Sequence, residues 1–87
     1  MARVRSVERG TPSVRPHSSE VDCFVQSINV EGGRPLVHIS TFGSDLRASA
    51  PKSSQSMQFD SEQAARLIRY FVATFGPDVL TEEGLPL

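Results

Sequence analysis

The chain has 87 residues, a net charge of −1 and a single cysteine. That length holds one domain with a small core, and one cysteine excludes an internal disulfide framework. The near-neutral balance gives no overall basic field of the kind that announces nucleic-acid binding.

Residues 1–19 carry Arg3, Arg5, Arg9 and Arg15 against Glu8, a net charge of +3, among prolines and serines. This composition predicts a disordered basic tail. Ser6 to Glu20 lacks an apolar core, so a secretory leader is not expected. Val21 to Val30 is rich in strand formers, but its apolar parity changes after Val25, and a bulge near Gln26–Ser27 would reconcile the two halves. Glu31-Gly32-Gly33-Arg34 signals a turn, and Pro35 opens the next strand without donating to a ladder. Leu36 to Phe42 alternates cleanly, with Val37, Ile39 and Thr41 on one side and Leu36, His38, Ser40 and Phe42 on the other. A polar stretch, 43–56, leads to a short strand over Ser56 to Phe59.

The strongest local signal is the helix that follows. Ala64, Leu67, Ile68, Phe71, Val72 and Phe75 form one apolar stripe at helical spacing. Asp60 is the expected N-cap, and Gln63 stands where a capping box would bring it back to the Asp60 amide. Gly76 and Pro77 stop the helix. Residues 77–87 hold Asp78, Glu82 and Glu83 and no basic residue, so an acidic flexible tail is expected there. The resulting expectation is one α+β domain over 20–76. A small antiparallel sheet of three strands, or four, packs on one C-terminal amphipathic helix. Its core would set the helix stripe against Val37, Ile39, Met57 and Phe59. So small a core favours association, and a homodimer is expected.

Catalytic chemistry finds little support. Cys23 sits mid-strand between Asp22 and Phe24, with no cationic neighbour to activate it as a nucleophile, and reads as a core residue. A dyad with His38 would further need an orienting group and a pocket. His17, His38 and Cys23 make no zinc pattern, and Gly32-Gly33 serves a turn, not a phosphate loop. No enzyme activity, metal or cofactor is expected. With no apolar run near the about 20 residues of a membrane span, and one cysteine, the expected setting is the cytoplasm.

The stretch 43–56 is one of two things, a solvated connector or a binding loop. Its length favours function, and Arg47, Lys52, Ser53, Ser54 and Gln55 are groups that grip phosphate oxygens. Phe42 at its entry would stack on a base. Asp45 opposes this.

The segments LVHISTFG (36–43), PKSSQSMQFD (51–60) and SEQAARLIRYF (61–71) together resemble the C-terminal half of the positive-cofactor-four type of transcriptional coactivator. The likeness is one of pattern: apolar strand, polar and basic loop, short strand, then a capped amphipathic helix. It implies a small dimer that binds single-stranded DNA on a curved antiparallel sheet, with the helices packing across the dimer. That family has four strands before the helix and more lysine and glycine in the loop. The phrase STFGSD (40–45) with PKSSQSMQFD (51–60) also resembles small bacterial proteins. The function expected is a non-catalytic nucleic-acid-binding module for single-stranded DNA or RNA, through Phe42, Arg47, Lys52, Ser53, Ser54 and Gln55. The alternative is an accessory protein that binds other proteins and no nucleic acid.

Overall fold

The computed structural model describes residues 1–43 and 53–82. Four strands, β1 (Ala2–Arg3), β2 (Asp22–Ile28), β3 (Leu36–Phe42) and β4 (Ser53–Phe59), precede helix α1 (Ser61–Phe75). They form one sheet in the order β1-β4-β3-β2. The hairpin β2–β3 and the pair β3–β4 are antiparallel, whereas β1 runs parallel to β4. The chain is therefore α+β, a four-stranded mixed sheet with a single C-terminal helix.

Local sequence signals explain most of these elements. The hairpin turns at Gly32, whose φ of 73° is readily available only to glycine, and Gly33 N donates to Val30 O at 3.0 Å. Asp60 caps α1, with Oδ1 accepting from the Gln63 amide at 2.9 Å. The second arm of the expected capping box does not form, because the buried Gln63 Oε1 has no partner. Gly76, at φ 90°, ends the helix and donates its N–H to Val72 O. Pro77 then opens a 3₁₀ turn over Pro77–Leu80, where the sequence reading placed a flexible tail. An Asp60→Ala variant should lose about 1 kcal/mol, the usual cost of an uncapped helix, as a lower midpoint in thermal melts followed by circular dichroism.

Three features differ from expectation. The β2–β3 ladder runs in register from Asp22 to Ile28 without a bulge, and the irregularity in the sheet lies instead between Thr41 and Phe42 against β4. β4 begins at Ser53, three residues earlier than read, so the connector is shorter. Ala2 and Arg3, placed in the basic tail, line the edge of β4 opposite Met57 and Gln58. Val4 N donates to Gln58 O, and Arg3 lies 3.6 Å from the Asp60 carboxylate.

The largest departure is in the packing. Strand β4 ends at Phe59 and α1 starts at Ser61, so a single residue, Asp60, joins them. Strand-to-helix connections that fold a helix back over its own sheet usually take about 2–6 residues. Accordingly α1 touches the sheet only slightly, through β4. The expected core of helix stripe against Val37, Ile39 and Met57 does not form within the chain. Met57 is 44 % exposed and Phe71 46 % exposed. Among the described residues the buried apolar side chains are Leu36 and Phe59, and no side chain is completely enclosed.

Candidate nucleic-acid interface

The strand pairings sort side chains onto two unlike faces, because residues directly opposite share a face and alternate along each strand. One face carries Cys23, Val25 and Ser27 of β2, Val37, Ile39 and Thr41 of β3, and Gln55, Met57 and Phe59 of β4. It is largely apolar. The other carries Asp22, Phe24, Gln26 and Ile28 of β2, Leu36, His38, Ser40 and Phe42 of β3, and Ser56 and Gln58 of β4. On this second face one transverse row crosses all four strands: Gln26 opposite His38, His38 opposite Gln58, and Gln58 opposite Arg3. An amide, an imidazole, an amide and a guanidinium thus stand in line. Beside them Phe24, Ser40 and Ser56 form the next row.

Contacts fix this face. Gln58 Nε2 lies 3.1 Å from His38 Nδ1, within hydrogen-bond distance, and so ties β4 to β3 on this face. Phe24 and Phe42 meet edge to face, with ring centroids 4.9 Å apart and planes at 63°. This is a favourable arrangement for two aromatic quadrupoles. Phe24 remains 56 % exposed, so a ring surface is offered to solvent. Gln26, His38, Ser40, Phe42, Ser56 and Gln58 line an open groove of about 430 Å³.

The expected site residues are distributed as follows. Phe42 ends β3 on the polar, aromatic face. Gln55 pairs with Thr41 and belongs by register to the apolar face, although it also lines the groove at the strand edge. Ser53 and Ser54 belong to β4 and not to a loop. Arg47 and Lys52 lie outside the described residues. The sequence reading missed Phe24, Gln26, His38, Gln58 and Arg3 as one surface. Unbroken alternation through DCFVQSI would have placed Phe24 and Gln26 with His38 and Phe42. Cys23 and His38 occupy opposite faces, which separates the two members of the dyad weighed above. No group of three or more metal-ligating side chains occurs among the described residues, and none of their helices is long and apolar enough to cross a membrane.

In comparisons with family models, curated proteins and solved structures, nothing matches this chain.

Proposed function

We propose that this chain is a small non-catalytic module that binds single-stranded nucleic acid on the polar, aromatic face of its sheet. The observation that carries the reading is the exposed Phe24 ring, held edge to face against the half-buried Phe42, beside the row Gln26, His38, Gln58 and Arg3. Unpaired bases present flat rings and hydrogen-bonding edges together. An aromatic ring accepts the first, and amide, imidazole and hydroxyl groups meet the second. Arg3 contributes positive charge at the sheet edge, and Arg47 and Lys52 follow Phe42 in the chain. Few cations imply few released counterions, so affinity comes mainly from stacking and depends only shallowly on salt.

Fluorescence anisotropy with a labelled single strand of about 15 nucleotides, a length that fills a small-domain site, tests this. Saturable binding that weakens modestly with added salt is expected. No binding to DNA or RNA at low salt and tens of micromolar protein would remove the proposal and leave the accessory-protein reading.

A further inference from the structure

Two apolar surfaces of this chain face solvent and do not cover each other. The first is the α1 stripe. Ile68, Phe71 and Phe75 are exposed there, and the rings of Phe71 and Phe75 stack with centroids 6.3 Å apart. The second is the sheet face of Val25, Val37 and Met57, each of them exposed. Asp60 alone connects β4 to α1, so the tether directs the helix off its own sheet.

The surface area is large for a chain of this length. The chain exposes 8141 Å². A folded monomer of this length exposes about 5,000 Å². Part of that difference belongs to the exposed arm between β1 and β2; an interface of standard size, roughly 800 Å² on each partner, would cover the two apolar faces. With only Leu36 and Phe59 buried among the described apolar side chains, one chain alone encloses too little apolar surface to offset the entropy of ordering its backbone.

We infer that a second copy of this chain covers both surfaces by reciprocal exchange. The α1 stripe of one protomer lies across the Val25–Val37–Met57 face of its partner, and the partner's helix returns the contact. Both complementary surfaces belong to one chain, so a two-fold axis satisfies each of them with no surface left over. The arrangement leaves the opposite face, with Phe24 and His38, open in both copies. It is independent of any nucleic acid.

The test needs no substitution. Sedimentation equilibrium at micromolar concentration is expected to give twice the single-chain mass, and the unfolding midpoint should rise with protein concentration. A half-filtered NOE experiment on protein mixed from isotope-labelled and unlabelled chains then reads the contact. Intermolecular NOEs from the Phe71 and Phe75 rings to methyls of Val25, Val37 and Met57 are expected. A single-chain mass with cooperative unfolding intact would overturn the inference. So would a dimer whose intermolecular NOEs join helix to helix alone.

Discussion

Phe59→Ala is expected to abolish cooperative folding near room temperature. Phe59 is 6 % exposed, the least exposed apolar side chain among the described residues. It ends β4 opposite Val37, one residue before the cap of α1, so it secures the point where sheet and helix meet. Removing a buried aromatic ring costs about 3–5 kcal/mol, from lost transfer energy and the cavity left behind. A domain of this size has a total stability of about 4–13 kcal/mol at the usual figure per residue, and a core this small belongs at the lower end. Urea titration followed by circular dichroism checks the result. A loss below about 1 kcal/mol would show that the ring is not the anchor described here.

The second large effect concerns binding. Phe24→Ala should weaken single-strand affinity by about 5- to 150-fold, the equivalent of about 1–3 kcal/mol for one lost base stack. The slope of affinity against salt should stay unchanged, because stacking releases few ions. Phe24 suits the test because more than half of its surface is already in water and its loss leaves Leu36 and Phe59 buried. Phe42→Ala should act in the same direction, with an added effect on Phe24 through their edge-to-face contact. Arg47→Ala with Lys52→Ala should do the reverse, flattening the salt slope by about two units at most. Anisotropy titrations at several salt concentrations separate the patterns. An unchanged affinity in Phe24→Ala would place any binding elsewhere on the molecule.

Much of the local structure was legible in the sequence because it depends on neighbouring residues. Asp60, the apolar stripe of α1, Gly76 and Pro77 act within a few positions of one another, and helix α1 has the limits they imply. Leu36 to Phe42 likewise states its own alternation. What escaped was set by contacts distant along the chain. Two residues, Ala2 and Arg3, are too few to show any period, and their strand exists only because β4 offers them an edge. The change of apolar parity in β2 looked like a bulge; in the structure Ile28 simply lies on the polar face, opposite Leu36. The candidate surface was half visible for the same reason. Phe42 was found from its place at the end of a strand, whereas Gln26, His38 and Gln58 become neighbours only through strand register. The packing of α1 depended on a length, the one-residue link at Asp60, whose consequence an apolar pattern does not express.

The parallel edge strand β1 makes the arm that follows it the first part of the molecule to open. From Ala2 to the start of β2 at Asp22, the chain closes a loop of about 20 residues, which costs roughly 2–3 kcal/mol by its length alone. Opposing that cost are two paired residues, the Val4 N–H donating to Gln58 O, the partly exposed Arg3–Asp60 pair and Arg9 lying 5.8 Å from the centre of the Tyr70 ring. An exposed ion pair contributes about 0–1 kcal/mol and an exposed cation–ring contact a similar amount. These terms are of similar size, so the arm is expected to open before the hairpin and α1 do. Each detachment uncovers the edge of β4 at Met57 and Gln58 and withdraws Arg3 from its row. A bound strand that held the Arg3 guanidinium at the sheet edge is therefore expected to slow the exchange of the Val4 amide, which donates to Gln58 O, with solvent.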